Sequence, residues 1–259
     1  MESVVGRTAF ITGGASGIGL SIGEALLAVG CRVVLADRDA DAAEREARRL
    51  GSGTIGQLLD VTDRAGWASA RKSAERVCGP IDILVNNAGL PPDWNELVDM
   101  PFEHFDRLVA VMLTGVFNGI RTFGQSIRER RGHIVNTSSM SGLVAAPRLG
   151  AYTAAKFGVV GLSEVLRAEM EPYGCGVSVL LPGGVNTNLN ATSPVPDEVQ
   201  GLLPHPIEPN VVGECVVSAI RENRFYVITH PEYRRVVADR SSKLLAAFDP
   251  AFDDDQGAA

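Results

Sequence analysis

Thr12-Gly13-Gly14-Ala15-Ser16-Gly17-Ile18-Gly19 lies directly between a short apolar run, Thr8 to Ile11, and a periodic segment, Gly17 to Val29, that stops at Gly30. The run reads as a strand and the segment as a helix. In such a turn Gly13 permits a sharp reversal and Gly17 lets the backbone approach a pyrophosphate. Gly19 lets the helix pack closely on the strand. The helix N-terminus then offers free N–H groups and the positive end of its dipole to phosphates. The spacing is Gly-x3-Gly-x-Gly rather than GxGxxG, and a glycine cluster alone also serves a plain turn.

Working outward, the same alternation repeats. Strands are expected at Cys31 to Ala36, Thr54 to Leu59, Ile81 to Val85, His133 to Thr137, Gly176 to Leu181 and Arg224 to Thr229. Helices are expected at Ala40 to Leu50, Asp63 to Val77 and Ala151 to Glu171, with one long or two shorter helices over Phe102 to Arg130. Strands alternating with helices of this length make βαβ units and a parallel sheet. Their near-continuous Val, Ile and Leu content fits strands covered on both faces. No linker or repeat divides the 259 residues, so one α/β domain is expected. Thr187 to Pro209 carries five prolines and reads as a substrate lid within that domain.

The net charge of −7 argues against nucleic acid, because phosphate backbones need clustered cations. The acidic end, 249–259, reads as a solvated, flexible tail. Cys31, Cys78, Cys175 and Cys215 form no CxxC pair, read as reduced thiols of a cytoplasmic protein, and leave no metal ligands to name. No run of ~20 apolar residues suggests a membrane span.

The second strand ends at Asp37, 18 residues after Gly19. A carboxylate there can accept hydrogen bonds from ribose hydroxyls and would repel a 2′-phosphate, which favours NAD over NADP. Arg38 follows and pulls the other way, since a guanidinium could serve a phosphate. Asp37 could equally be a turn or cap residue. Asp60-Val61 and Asn86-Asn87-Ala88-Gly89 close the third and fourth strands, where ligands bind in open α/β sheets. Asp60 could meet the adenine amino group, and turn chemistry is the plain reading of the asparagines.

Tyr152 and Lys156 are four apart on an expected helix and so share a face. With three lysines and four tyrosines in the chain, such a pair arises by accident about 5% of the time. A fixed ammonium would stabilise a phenolate and bring the Tyr152 pKa down toward working pH, as a general acid/base requires. The alternative is a surface Tyr–Lys pair. Ser139 ends the fifth strand, 13 residues before Tyr152, and its hydroxyl could bond a substrate oxygen as charge develops.

Together, Thr12 to Gly19, Asp60, Asn86 to Gly89, Ser139, Tyr152-x3-Lys156 and Pro182-Gly183-Gly184-Val185-Asn186-Thr187 resemble the short-chain dehydrogenase/reductase family, in its order and spacing. The resemblance implies a three-layer, doubly wound Rossmann fold with a seven-stranded parallel sheet, usually as a homotetramer or homodimer. It implies Tyr152 as the acid/base, Lys156 as the group that lowers its pKa and holds the nicotinamide ribose, and Ser139 as the holder of the substrate oxygen. Cofactor contacts are implied at Gly13, Ser16, Gly17, Ile18, Gly19, Asp37, Arg38, Asp60, Val61, Asn87, Ala88, Gly89, Tyr152, Lys156, Pro182, Gly183, Val185 and Thr187. Of these, Val185 and Thr187 would meet the carboxamide.

One position departs from the family. Val111-Met112-Leu113-Thr114-Gly115 stands where Val-Asn-Leu-x-Gly is usual, so Met112 replaces an Asn that helps relay protons. Three readings stay open: backbone alone holds the relay water, the chain is an engineered variant, or turnover is naturally slow. Asn118 is too far along the helix to substitute.

A pocket is expected from the lid with Leu189, from Leu90 to Met100 with Trp94, and from Met140, Leu143 and Val144. These are mostly apolar and imply an uncharged, bulky secondary alcohol or ketone. Arg224 to Pro231 loosely resembles members that oxidise bulky aromatic alcohols. A second function class is an NAD(H)-binding sensor or scaffold with little catalysis, supported by Met112. A third is a dehydratase or epimerase on the same fold.

Overall fold

The structure is a computed structural model that describes residues 4–191 and 204–248. Its seven strands are β1 (Thr8–Thr12), β2 (Arg32–Asp37), β3 (Thr54–Leu58), β4 (Ile83–Asn86), β5 (His133–Thr137), β6 (Gly176–Leu181) and β7 (Tyr226–Ile228). All pair in parallel, in the order β3-β2-β1-β4-β5-β6-β7. The helices are α1 (Gly17–Ala28), α2 (Ala40–Leu50), α3 (Arg64–Cys78), α4 (Phe102–Val109), α5 (Gly115–Glu129), α6 (Gly150–Met170), the short α7 (Asn188–Ala191), α8 (Pro209–Glu222) and α9 (Arg234–Leu245).

Alternation along each strand sorts its side chains into two cores. Ala9 and Ile11 of β1, with Val33 and Leu35 of β2, face α1 and α8, where they meet Ile22, Leu26, Val216 and Ile220. Phe10, Val34 and Ala36 face the other way, toward Trp67 of α3, Phe123 and Ile127 of α5 and Leu166 of α6. Phe10, Trp67 and Phe123 form an aromatic triad there, with ring centres 4.8–6.2 Å apart. This is the three-layer arrangement that the family resemblance implies.

The edges depart from the expected continuous burial. β3 is only half-buried, and β7 buries Val227 alone between exposed Tyr226 and Ile228. An edge strand has a neighbour on one side only, which is why β7 shrinks to three residues where six were expected. Phe102 to Arg130 folds as α4 and α5 joined without a break by a π-helical segment, Ala110–Thr114. Met112 lies inside that segment.

Strand order reverses between β1 and β4, and ligands in such sheets bind outside the strand ends at that reversal. The base of the expected lid is pinned: Val185 bridges Ile207, the Asn186 N–H donates to the Ile207 carbonyl and the Ile207 N–H donates to the Gly184 carbonyl. Lid residues 192–203 and the tail 249–259 lie outside the described residues. No helix among the described residues is long and apolar enough to cross a membrane.

Candidate active site

The loops after β1 and β4 are stitched together. The Thr12 hydroxyl oxygen accepts the N–H groups of Asn87 (2.9 Å) and Ala88 (3.0 Å), and the Asn87 amide donates to the carbonyls of Thr12 (3.1 Å) and Gly13 (3.3 Å). A side chain at Gly19 would sit 2.1 Å from the Gly13 carbonyl oxygen and 2.6 Å from the Asn87 amide. Gly19 is therefore needed for the packing of the helix on its own loop and on Asn87, more than on the strand. Gly17 adopts a φ of 53°, and a Cβ there would lie 3.1 Å from the Thr187 methyl, so Thr187 leans over the start of α1.

Ser16 precedes α1 in extended conformation without a side-chain cap, and the first turn carries no acid. Its N–H groups and dipole face the crevice, so the cradle suits a pyrophosphate. Ile18 turns inward against the α1–α8 core. Asp37 accepts the N–H groups of Ala15 (3.2 Å) and Asp39 (3.1 Å), so it already braces the glycine turn. Asp60 is bound by the hydroxyl (2.7 Å) and N–H (2.8 Å) of Thr62, which hold its carboxyl below the usual range, and the exposed Arg38 adds to the effect. The Val61 carbonyl accepts from the Trp67 indole (2.9 Å) and the Asn118 amide (3.0 Å).

Tyr152 and Lys156 lie one turn apart near the start of α6, as expected, with Ser139 close enough to Tyr152 to act on its pKa. The Ser138 hydroxyl donates to the Lys156 carbonyl (2.8 Å), tying the end of β5 to α6. The electrostatics differ from the expectation. Burial is the dominant influence on Tyr152 and raises its pKa, with Ser139 working against it. Lys156 is 4% exposed, and burial brings it down to about 8. Its Nζ donates to the Thr137 carbonyl (3.0 Å) and stands 5.6 Å from the centre of the Tyr152 ring. The ammonium thus points at a backbone oxygen, and Ser139 rather than Lys156 favours the phenolate.

Met112 is 1% exposed. It packs with Leu108, Ala151 and Ala155, and Tyr152 lies against the same cluster. Its sulfur is 4.0 Å from where a Gly89 side chain would be. Met112 therefore fills the space between the β4 loop and α6. Asn118, as its spacing implies, sits elsewhere, on Val61.

The expected pocket residues divide. Met140 is placed in the core, with Val160, Val179 and Leu181, and Leu143 packs on that cluster. The reason is the short helical turn Met140–Gly142, which points Met140 inward. Val144 is half-buried and Leu189 is exposed. Trp94 has a φ of 57°, and its buried indole N–H meets no acceptor among the described residues. Leu90 and Met100, at the two ends of its loop, pack on the cluster that touches Tyr152.

Sequence reading missed two contributors. The Thr137 carbonyl receives Lys156, and a backbone acceptor leaves no residue-type signal. His230 reaches Gly183 across 47 residues, its Nδ1 accepting the Gly183 N–H at 3.1 Å. Its position after a strand and before Pro231 was the available signal. Among the described residues no group of three or more His, Cys, Asp or Glu could hold a metal.

A family model described as short chain dehydrogenase matches residues 7–196. The C alpha-dehydrogenase of Sphingobium sp. (strain NBRC 103272 / SYK-6) is 30% identical over 100% of this chain and 92% of its own. A 3-alpha-(or 20-beta)-hydroxysteroid dehydrogenase of Mycobacterium tuberculosis (strain ATCC 25618 / H37Rv) is 35% identical over 86% of this chain and 85% of its own. The NADP-dependent (R)-specific alcohol dehydrogenase of Lentilactobacillus kefiri is 32% identical over 86% and 93%. Among solved structures, a short chain dehydrogenase/reductase from Burkholderia phymatum in complex with NAD superposes with a TM-score of 0.87 at 29% identity, covering 96% of this chain and 98% of that one.

Proposed function

The chain belongs to the short-chain dehydrogenase/reductase family of oxidoreductases, and on that premise we propose that it interconverts a secondary alcohol and a ketone with NAD(H). The observation that carries the proposal is the grouping of Ser139, Tyr152 and Lys156 where the end of β5 is tied to the start of α6. In reduction the Tyr152 phenol gives its proton to the carbonyl oxygen while the Ser139 hydroxyl holds that oxygen. In oxidation the Tyr152 phenolate takes the proton back. Lys156, dry and cationic, holds the ribose hydroxyls beside Thr137. The bound nicotinamide would supply or accept the hydride.

Gly13, Ser16, Gly17, Ile18 and Gly19 form the cradle for the pyrophosphate. Asp37 receives the adenosine ribose, which favours NAD over NADP, and Arg38, Asp60 and Val61 flank the adenine. Asn87, Ala88, Gly89, Pro182, Gly183, Val185 and Thr187 surround the nicotinamide half. The substrate is an uncharged, bulky hydrophobic or aromatic compound bounded by Trp94, Val144 and Leu189, a reading in keeping with the hydroxysteroid dehydrogenase relative. We place it in a homotetramer or homodimer.

The test is nicotinamide absorbance with NAD and NADP against a panel of aryl carbinols, hydroxysteroids and their ketones. Turnover with NAD on the bulky members is the expected result, and preference for NADP would overturn the Asp37 assignment. The second reading, a cofactor-binding sensor, is favoured by the apolar burial of Met112 and would give tight NADH binding without turnover on any panel member.

A further inference from the structure

Thr229-His230-Pro231 follows β7 and has no part in the chemistry above. His230 is 1% exposed, yet its ring lies against the active-site backbone. A side chain on Gly183 would come within 2.8–3.0 Å of three ring atoms, so the ring and the Gly183 backbone are in direct contact. The Gly183 N–H can only donate, so Nδ1 must face it with a lone pair. The Thr229 hydroxyl, 2.7 Å from the same Nδ1, supplies a second donor. The Tyr233 ring meets the imidazole edge-on at 6.4 Å.

The bonded N–H belongs to the peptide unit that joins Pro182 to Gly183. The carbonyl of that same unit accepts the Met140 N–H (2.9 Å) and the Ser139 hydroxyl (3.4 Å). Ser139 in turn caps the turn Met140–Gly142 through the Ser141 N–H (3.1 Å) and acts on the pKa of Tyr152. One peptide plane is therefore held by His230 on one edge and holds the Ser139 backbone on the other. Hydrogen bonds at the two ends of a peptide reinforce each other, so an acceptor on the N–H strengthens the carbonyl.

We propose that His230 is a positioning residue of the active site, fixing through the Pro182–Gly183 peptide the backbone that carries Ser139. It rests on the assignment of Ser139 and Tyr152 made above. A purely structural role would require only ring volume under Tyr233. The positioning role requires a lone pair at the Nδ1 position.

Two variants separate these roles. His230→Phe keeps the ring and removes the acceptor, whereas His230→Asn places an amide oxygen near the Nδ1 position with less volume. Hydrogen exchange of the segment containing Gly183, measured by mass spectrometry without substrate, reads the tether directly. Steady-state kinetics and NADH titration read its consequence. The expected result is faster exchange around Gly183 in His230→Phe and a kcat lower by about tenfold, the worth of one hydrogen bond expressed in rate. NADH affinity should fall by less than kcat does, because Gly183 is one of several contacts to the cofactor and the glycine cradle and Asp37 are untouched. His230→Asn should recover both exchange and kcat. Unchanged exchange and kcat in His230→Phe would overturn the proposal, as would equal impairment of both variants. If the unmodified protein turns over no alcohol or ketone, the reading of function fails on its own, and the exchange measurement alone decides the His230 tether.

Discussion

The two ends of the strands, here the N-terminal and C-terminal edges of the sheet, both bury polar groups, and they treat them differently. At the N-terminal edge Asp82 is filled on every side. Arg7 (2.7 Å), Arg130 (2.8 Å) and the Thr8 N–H (3.1 Å) all reach its carboxylate. At the C-terminal edge Lys156 has three N–H donors and, among the described residues, one acceptor, the Thr137 carbonyl. The histidines repeat the contrast. The Nδ1 of His133 has no partner among the described residues and is walled in by Gly176, where even a methyl carbon would be 2.0 Å away. His230 instead uses its Nδ1 to brace active-site backbone. A saturated buried charge is structure, and spare valence beside a crevice is where a ligand can act.

Substitutions at the two edges should therefore separate activity from stability. Tyr152→Phe carries the largest expected effect, a loss of turnover of about a thousandfold or more, with NADH binding and Tm retained. Any residual activity within tenfold of the unmodified protein would remove Tyr152 as the acid/base. Asp82→Ala should do the reverse. It breaks a buried charge network and should cost about 3 kcal/mol in urea unfolding, leaving kcat of the folded fraction unchanged.

His133 sharpens the contrast through pH. Burial holds its pKa down to about 3. It stays neutral in the fold, while the unfolded chain takes up a proton below about pH 6.5. Its stabilising contribution is thus complete at neutral pH and lost as pH falls from about 6.5 toward 3, amounting to about 2 kcal/mol by pH 5. Urea unfolding at pH 7 and pH 5 should give a smaller acid loss in His133→Gln by that difference. The smallest effect is expected at Met112. Met112→Asn should raise turnover severalfold by restoring a polar path behind Lys156, at about 1–2 kcal/mol in stability for a buried amide. No gain at any pH between about 6 and 10 would show that the path does not limit the rate.

Most of the fold was legible because it is written in local periods. The bounds of β5, β6 and α2 follow directly from alternation and helical spacing, since each is bounded by glycine, aspartate or proline chemistry. The residues of the candidate site were legible by type and spacing, and the fold places Tyr152 and Lys156 one turn apart on α6 with the end of β5 tied to that helix. Direction was not legible. Whether Lys156 aims at Tyr152 or at the Thr137 carbonyl depends on how α6 meets β5, and that is a tertiary fact. The π-helical segment also leaves no local mark, since α4 packs on α6 while α5 packs on β4 and α3. His230 and Gly183 are brought together only by the β6–β7 pairing.

The π-helical segment has one more consequence. A π turn holds one residue more than an α turn, which advances the helix by about 100° of rotation. Leu108 before the segment and Val116 and Asn118 after it are all buried only because that extra residue sets the phase between α4 and α5. Loss of one residue from Ala110–Thr114 would swing the whole inward face of α5 off Val61 and the sheet. In the inheritance of this chain, side chains in the segment can be exchanged one at a time, but its length can change only together with everything downstream that it keeps in register.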